Sequence, residues 1–293
     1  KSRDLFNSQI ENLLKKYITS DEIINKVHYS LEGGKRLRPI ISLDICNTLC
    51  SNKDRALNIA LSIELIHTAS IILDDMPSMD NDNYRRGKES FHIKYSEKTA
   101  QIISTHLIEI AFKLIYDNFS NDIEKMCRMY EIVSNNLGIN GIANGQYMDL
   151  ASIDDNKESF KKKLDKDTLK KLLNQKTTTL FEIAFLGGYL SGSSNSKGVL
   201  LIKKASEHFG LAFQIYDDFD DIEQDLKRQY KNIIDPNYVN NLGVKTAYND
   251  FLKHIDDFRK IMTDMNLYSN ILEELTNYLV NKVQHKLKNL SIN

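Results

Sequence analysis

Apolar residues recur at every third or fourth position along most of the chain, which is the spacing of one face of an α-helix. The pattern begins at Ile10, and a Ser20–Asp21 start signal then opens a second helix that is expected to end at Gly33–Gly34. No stretch alternates between apolar and polar residues over a useful length, and no motif repeats at a fixed period. The sequence therefore predicts an all-α fold.

The remaining helices are predicted from the same periodicity. Pro39–Leu49 forms one, with Pro39 in its first turn, and the apolar run LNIALSIELIHTASIILDD forms the next, which is expected to end near Pro77. The polar segment 151–167 is expected to be an exposed loop or a poorly packed helix start. Six further helices are predicted at about Thr99–Asn118, Asp122–Asp149, Thr168–Leu190, Lys197–Glu223, Gly243–Met265 and Ile271–Leu290.

Composition favours one domain over two. The chain has 293 residues but only 3 Pro and 12 Gly, and no Pro/Gly/Ser-rich linker divides it. Hydrophobic residues make up 41% of the chain, which is enough for a substantial core. We therefore expect a single all-α domain over residues 1–293.

Charge and hydropathy argue against two classes of partner. The formal net charge is −1, with 39 basic and 40 acidic residues, which does not suit a protein that binds nucleic acid through bulk charge. No apolar run is expected to reach the roughly 18 residues of a membrane span. The chain begins with Lys1 and shows no signal-like segment, so we expect a cytoplasmic location, with an organelle as the alternative if an upstream segment has been removed.

Two clusters of acidic residues stand out. Each follows an apolar helix directly, at the end where the helix dipole disfavours anions. Sites that break local rules in this way are candidate functional sites, and grouped carboxylates suit hard divalent cations such as Mg²⁺. The alternative is a pair of solvated acidic runs. The clusters are DDMPSMDND, with Asp74, Asp75, Asp80 and Asp82, and DDFDDIEQD, with Asp217, Asp218, Asp220, Asp221, Glu223 and Asp225.

Spacing indicates how each cluster presents its carboxylates. Asp217 and Asp221 are four residues apart and share one helix face. Asp74 and Asp80 are six residues apart, about 600° of rotation, so a regular helix would not direct both at one metal ion. Pro77 lies between them and is expected to end the helix, so that the chain bulges and Asp80 swings back.

Two basic motifs, GGKRLRP and RRGK, accompany the acidic clusters. Glycine lets backbone N–H groups approach phosphate, and Arg binds phosphate through two parallel hydrogen bonds. Either motif alone fits a solvated turn equally well. Together with the acidic clusters they predict a site for two diphosphates, one held through metal and one through Lys and Arg. The basic residues are Lys35, Arg36 and Arg38 in the first motif, and Arg85, Arg86 and Lys88 in the second.

This set of motifs, in this order, resembles the trans-isoprenyl diphosphate synthases, and most closely the bacterial and plant geranylgeranyl diphosphate synthases. The resemblance covers nearly the whole chain. It implies an antiparallel α-helical bundle around a deep apolar cavity, assembled as a homodimer. The matching segments are GGKRLRP (33–39), IHTASIILDDMPSMDNDNYRRGK (66–88), GIANGQYMD (141–149), QKTTTL (175–180) and FGLAFQIYDDFDD (209–221).

The resemblance also implies roles for individual residues. Three Mg²⁺ ions, for which Mn²⁺ is expected to substitute, would lie on the allylic diphosphate, and Thr177 would lend its backbone carbonyl to the carbocation. His67 is expected to be a neutral hydrogen-bond donor rather than a base. The implied metal ligands are Asp74, Asp75, Asp80, Asp217, Asp218 and Asp221. The implied allylic contacts are Arg85, Lys176, Thr177 and Gln214, and those for isopentenyl diphosphate are Lys35, Arg38, His67 and Arg86.

The implied reaction joins isopentenyl diphosphate to dimethylallyl, geranyl or farnesyl diphosphate by ionisation, condensation and elimination, with the departing diphosphate as base. Residues four and five positions before Asp74 are the small Ser70 and Ala69, where family members that stop at C15 commonly carry an aromatic residue. Ile66 and Leu65, a turn further back, are branched and large enough to limit a longer chain. We therefore expect C20, geranylgeranyl diphosphate, with farnesyl diphosphate (C15) as the alternative if a facing helix sets the limit.

Two other functions are weighed against synthesis. A non-catalytic regulatory subunit of a heteromeric synthase would not need to retain six clustered carboxylates. A terpene cyclase of the same fold class would not need the GGKRLRP motif and Arg86. The chain departs from the family at Ser104–Thr105, which replace a common Gly-Asp, and before Tyr238, where the usual Lys is missing and Lys227 or Lys231 would have to serve.

Overall fold

The computed structural model describes residues 2–50, 55–151, 166–193, 195–222 and 237–290. Helices dominate these residues, and the only strands among them are the two-residue β1 (Tyr84–Arg85) and β2 (Lys88–Glu89). The predicted all-α fold is confirmed. The helices are α1 (Ser2–Leu14), α2 (Asp21–Leu31), α3 (Leu37–Leu49), α4 (Leu57–Asp74), α5 (Phe91–Lys94), α6 (Glu97–Phe119), α7 (Ile123–Leu137), α8 (Ile142–Ala151), α9 (Lys166–Leu173), α10 (Thr179–Gly192), α11 (Val199–Asp220), α12 (Tyr238–Leu242), α13 (Val244–Asp264) and α14 (Asn270–Leu290).

Local signals account for several helix ends. The Ser20 hydroxyl caps α2 by accepting the Ile23 N–H at 3.4 Å, as the start signal predicted. The helix predicted over 122–149 is divided into α7 and α8, and at Gly141 in the break a Cβ would lie 2.0 Å from the Asn136 carbonyl oxygen. Most of the predicted loop 151–167 lies outside the described residues.

The helix predicted over 168–190 is interrupted. A π-helix, Asn174–Thr178, stands between α9 and α10, and a short 3₁₀ turn, Ser196–Gly198, precedes α11. Helical periodicity in sequence does not distinguish one widened turn from a regular one, so this interruption was not predicted.

The chain divides into two compact units, one formed by Lys1–Glu131 with Leu186–Ser194 and the other by Ile132–Phe185 with Asn195–Asn293. The boundaries at Glu131 and Phe185 fall inside helices α7 and α10 rather than in linkers. The expectation of a single domain over residues 1–293 stays a prediction.

Helix α4 is the core helix of the first unit. Its apolar side chains are buried around most of its circumference, and it packs against α3 and α6. By length and composition alone α4 is long and apolar enough to cross a membrane, contrary to the expectation that no apolar run reaches that length. Yet 61% of it is buried by the surrounding chain, as in the core helix of a folded domain.

An aromatic cluster holds the second unit together. Phe209 on α11 lies 5.0 Å from Phe181 and 5.6 Å from Phe185 on α10, measured between ring centroids, and 5.2 Å from Phe258 on α13. Aromatic pairs at these separations stabilise a core beyond their buried area. The cluster fixes α11, the helix that carries the second acidic cluster.

Candidate active site

The first acidic cluster is a loop that folds back on the end of α4. The helix ends at Asp74, before Pro77, and the loop returns so that the Asp80 N–H donates to the Asp74 carbonyl at 2.9 Å. The Asp82 N–H donates in the same way to the Asp75 carbonyl at 3.2 Å. Asn81 takes a positive φ of 53°, which lets the loop reverse. The helix ends before Pro77 and the backbone returns at Asp80, as predicted, whereas the convergence of the Asp74 and Asp80 carboxylates on one metal ion stays a prediction.

Within this loop the Asp75 carboxylate is buried and paired with Arg85. The Arg85 Nε donates to Asp75 Oδ1 at 2.8 Å, and its Nη2 donates to the same oxygen and to Asp82 Oδ2 at 2.9 Å. Burial raises the pKa of Asp75, and the Arg85 guanidinium offsets only part of that rise. The arginine that follows the cluster in sequence is therefore built into it.

The RRGK motif forms a β-hairpin. Strands β1 and β2 pair antiparallel, with Arg85 opposite Lys88, and the two-residue turn Arg86–Gly87 has φ values of 55° and 79°. Positive φ at both positions is typical of the type I′ turn, which matches the twist of paired strands. The motif was predicted from the sequence but the hairpin was not, since two-residue strands leave no alternation to detect.

Two arginines, one from each basic motif, lie close to His67. Arg38 lies 3.3 Å from His67, measured from Nη1 to Nε2, and Arg86 is close enough to act electrostatically on the same imidazole. Burial, followed by Arg38 and Arg86, lowers the pKa of His67 well below its usual value. This shift favours the neutral imidazole, and the role of His67 as a hydrogen-bond donor stays a prediction. Lys35 is exposed on the turn before α3.

Arg36 does not face a ligand site. Its side chain turns inward and donates to Glu64 at 2.5 Å, to Asn7 at 2.9 Å and to the Leu31 carbonyl at 2.5 Å. Both members of the Arg36–Glu64 ion pair are buried. Of the three basic residues in GGKRLRP, this one is structural, and removing either partner would leave a buried charge unpaired.

The second acidic cluster lies at the end of α11, in the other unit. Asp218 is buried and accepts hydrogen bonds from Gln214 Nε2 at 2.8 Å and from the Tyr238 N–H at 2.6 Å. The Asp221 N–H donates to the Asp217 carbonyl at 3.0 Å, so these two residues lie one helical turn apart, as predicted. Asp217 is half-buried and Asp221 is exposed.

A hydrogen-bonded chain extends from Asp218 in both directions. The Thr177 hydroxyl donates to Gln214 Oε1 at 2.5 Å, which joins two of the predicted allylic contacts. On the other side the Tyr238 hydroxyl donates to Asp250 at 2.7 Å, and Asp250 also pairs with Lys166 at 2.6 Å. Sequence reasoning did not find Tyr238, Asp250 or Lys166 in this role. No local signal marks them, because their partners lie far away in the chain.

Lys176 and Thr177 lie in the π-helix. Gly210 of α11 approaches it closely, since a Cβ there would lie 2.7 Å from Thr178 Oγ1. Single π-turns within α-helices occur frequently at functional sites, because the extra residue releases one backbone carbonyl from the regular ladder. Nothing is described for the side chain of Lys176, and Lys227 and Lys231 lie outside the described residues.

The residues proposed to set chain length lie on different faces of α4. Ala69 is completely buried, whereas Ser70 is partly exposed and its hydroxyl donates to the His67 carbonyl at 2.9 Å. On α6, Ser104 is buried and Thr105 is exposed.

The donor chemistry fits magnesium. Among the described residues no three His, Cys, Asp or Glu side chains converge on one point as a closed protein site would. Mg²⁺ is usually bound through one or two carboxylates, waters and substrate phosphates rather than by an all-protein cage. The loop with Asp74, Asp75 and Asp80 suits binding of that kind. The helix end with Asp217, Asp218 and Asp221, taken by itself, suits it as well.

Comparison with known proteins places these features in a family. The family model for polyprenyl synthetase matches residues 20–236. The farnesyl diphosphate synthase of Micrococcus luteus is 31% identical over 292 residues, covering 96% of this chain and 97% of that protein. The geranylgeranyl diphosphate synthase of Cyanophora paradoxa is 34% identical over 229 residues, 76% of this chain and 74% of that protein. The crystal structure of a geranyltransferase from Helicobacter pylori 26695 superposes with a TM-score of 0.76 at 26% identity, covering 96% of both chains.

Proposed function

The chain belongs to the polyprenyl synthetase family and is a trans-prenyltransferase, and from that premise we propose that it makes geranylgeranyl diphosphate from isopentenyl diphosphate and an allylic primer. The β-hairpin with Arg85 and Arg86 is the observation that best supports this reaction. Arg85 on it pairs with the first acidic cluster, and its neighbour Arg86 acts on His67 beside Arg38. One short element thus serves both an acidic, metal-type site and a purely basic one, as two different diphosphates require.

Each site has a set of proposed residues. Mg²⁺, when held by Asp74, Asp75, Asp80, Asp217, Asp218 and Asp221, would neutralise the charge that develops on the departing diphosphate. Arg85, Lys176 and Gln214 bind the same allylic diphosphate. Lys35, Arg38, His67 and Arg86 hold isopentenyl diphosphate, with neutral His67 as a hydrogen-bond donor. We expect the enzyme to be a homodimer, and Mn²⁺ to replace Mg²⁺.

The chemical steps then need no side-chain base. The C–O bond of the allylic diphosphate breaks, and the carbonyl of Thr177 faces the resulting carbocation. The alkene of isopentenyl diphosphate attacks C1 of that cation, and the proton lost from the adduct passes to the released diphosphate. Apolar walls around the cation exclude water, which would otherwise trap it.

The proposal of a C20 product is supported by the residues of α4 alone. Relatives named as farnesyl and as geranylgeranyl diphosphate synthases both match the chain at similar identity, so they do not favour either product. Ala69 and Ser70 are small, and one helical turn rises about 5.4 Å, roughly one isoprene unit. These two positions support C20 over C15.

One assay tests the proposal. The isolated protein is incubated with Mg²⁺, labelled isopentenyl diphosphate and dimethylallyl, geranyl or farnesyl diphosphate in turn, and product length is measured. We expect C20 from every primer. Release of C15 alone from geranyl diphosphate would establish a farnesyl diphosphate synthase. Turnover that appears only after a second synthase subunit is added would establish a regulatory subunit.

A further inference from the structure

The hairpin that carries Arg85 and Arg86 is too short to hold its own position. Each strand has two residues, and the ends are closed by one hydrogen bond from the Ser90 N–H to the Asn83 carbonyl at 2.9 Å. Arg86 sits at positive φ, which is unfavourable for a side chain with a Cβ. Isolated two-stranded hairpins are marginally stable even when longer. The position of both arginines must therefore come from contacts outside the hairpin.

Besides the contacts of the arginines themselves, Lys88, the last residue of RRGK, makes several of these outside contacts. Its Nζ lies 3.9 Å from the centroid of the Tyr29 ring, donates to the Tyr29 carbonyl and pairs with Glu32 at 3.0 Å. The Tyr29 hydroxyl in turn donates to the Glu89 carbonyl at 2.7 Å. The Lys88 side chain is only 26% exposed, which strengthens a cation–π contact. Lys88 and Tyr29 thus fasten β2 to the end of α2.

This fastening controls both arginines because of the pairing register. Lys88 is the direct cross-strand partner of Arg85, whose guanidinium binds Asp75. Arg86 is the next residue, and it donates to the Glu32 carbonyl at 3.3 Å and packs on Gly33. A shift of β2 would therefore move one arginine of each proposed diphosphate site at the same time.

We propose that Lys88 and Tyr29 are positioning residues that set the affinity for both substrates through the hairpin, and that Lys88 is not itself a diphosphate ligand. The inference rests on the proposed function for its two substrates. A ligand lysine would act on the KM of one substrate. A positioning lysine acts on both, and Arg can replace it because a guanidinium also stacks on an aromatic ring.

The experiment compares Lys88→Met, Lys88→Arg, Tyr29→Leu and the control Lys94→Met, an exposed lysine on the neighbouring α5. We expect Lys88→Met and Tyr29→Leu each to raise both KM values by about three- to tenfold, with kcat changed less, as the loss of one sheltered cation–π contact predicts. Lys88→Arg and Lys94→Met should stay within about twofold of wild type. The double variant Lys88→Met/Tyr29→Leu should raise each KM by less than the product of the two single effects, because either single change already removes the cation–π contact between the two residues.

A rise in only one KM, or no rise in either, would overturn the proposal. Tyr29→Phe, which keeps the ring and removes the hydroxyl, serves if Lys88→Met fails to fold, and it should raise both KM values by a smaller factor. Binding of inorganic diphosphate, measured by calorimetry without turnover, separates failure of the proposed function from failure of the proposed role of Lys88. If the wild-type protein has no synthase activity, the proposed function fails. The positioning role of Lys88 fails if Lys88→Met leaves diphosphate binding unchanged.

Discussion

The two acidic clusters have similar sequences but hold their buried carboxylates in different ways. In the first, Asp75 lies at the end of α4 and is paired with a guanidinium from the following hairpin. In the second, Asp218 lies in the last turn of α11 and is held by the side chain of Gln214 and the backbone N–H of Tyr238. One cluster is a loop closed by a neighbouring cation, and the other is a helix end supported by amides.

Because of this difference, the two clusters are sensitive to substitutions at different residues. The loop depends on Pro77 and on the hairpin, so its geometry is coupled to the basic residues that follow it. The helix end depends on α12, whose first residue donates to Asp218, and on the chain from Tyr238 to Asp250 and Lys166. A charge-assisted hydrogen bond is roughly twice as strong as a neutral one, so both arrangements position a carboxylate firmly. They are nevertheless disturbed by different substitutions.

The largest expected effect tests whether the clusters are equal in catalysis. Asp74→Ala and Asp217→Ala should each lower the rate by at least about 10²-fold, because each removes electrostatic stabilisation of the departing diphosphate. Steady-state kinetics at saturating substrate and Mg²⁺ measure the loss. Asp220→Asn, at an exposed position beside Asp217, is the matched control and should stay within about fivefold. Full turnover in excess chelator would contradict the metal role of both clusters.

A smaller effect separates the basic residues by substrate. Lys35→Ala or Arg38→Ala should raise the KM for isopentenyl diphosphate by about tenfold and that for the allylic primer much less, because a phosphate contact is lost in one site only. Lys176→Ala should show the opposite bias. The KM values are measured with each substrate varied at saturation of the other. Equal changes for all three variants would show that the two sites are wrongly assigned.

Next in size is an acid sensitivity linked to the helix that carries the second cluster. Burial, followed by repulsion from His208 and Lys170, lowers the pKa of His254 to about 4, and its Nδ1 lies 2.9 Å from that of His208 on α11. The unfolded chain therefore binds a proton at His254 between pH 6.5 and 4, where the folded protein does not. Stability should fall as the pH drops through this range.

Urea unfolding at pH 7.5 and pH 5 measures the effect. Between pH 7.5 and pH 5, the free energy of unfolding of His254→Gln should fall by about 1 kcal/mol less than that of the wild type, after allowance for solvent screening. His285→Gln, at an exposed position on α14, should behave as wild type. If His254→Gln keeps the full wild-type pH dependence, another group is responsible.

Sequence alone predicted the parts of the site that depend on local rules. Pro77 ended α4 and returned Asp80 to Asp74, because proline cannot continue a helix. Local rules did not predict that Arg36 turns inward to Glu64, 28 residues away, or that the Tyr238 N–H reaches Asp218 across 20 residues. Both are long-range pairings of common residue types. The π-helix that contains Lys176 and Thr177 was missed for a different reason, since helical periodicity in sequence does not distinguish one widened turn from a regular one.

Substitutions on α4 just before the first acidic cluster are expected to change the rate least and the length of the product most. Ala69→Tyr should shorten the product from C20 to C15 because the ring would block the growing chain one turn from Asp74. Ala69 is fully buried against neighbouring helices, so the same ring also overpacks the core, at a cost of about 1–3 kcal/mol.

Ser70→Phe avoids that difficulty, since Ser70 is partly exposed on the face that also carries the partly exposed His67 and Asp74. If the chain grows along this face, Ser70→Phe should give C15 with a rate within about threefold of wild type and an unchanged melting temperature, because no core contact is lost. Thr105→Phe on the exposed side of α6 is the matched control and should still give C20. Products are read by chromatography of the dephosphorylated alcohols. If both Ala69→Tyr and Ser70→Phe still release C20, the limit on chain length lies on a facing helix, and the small residues of α4 serve only its packing.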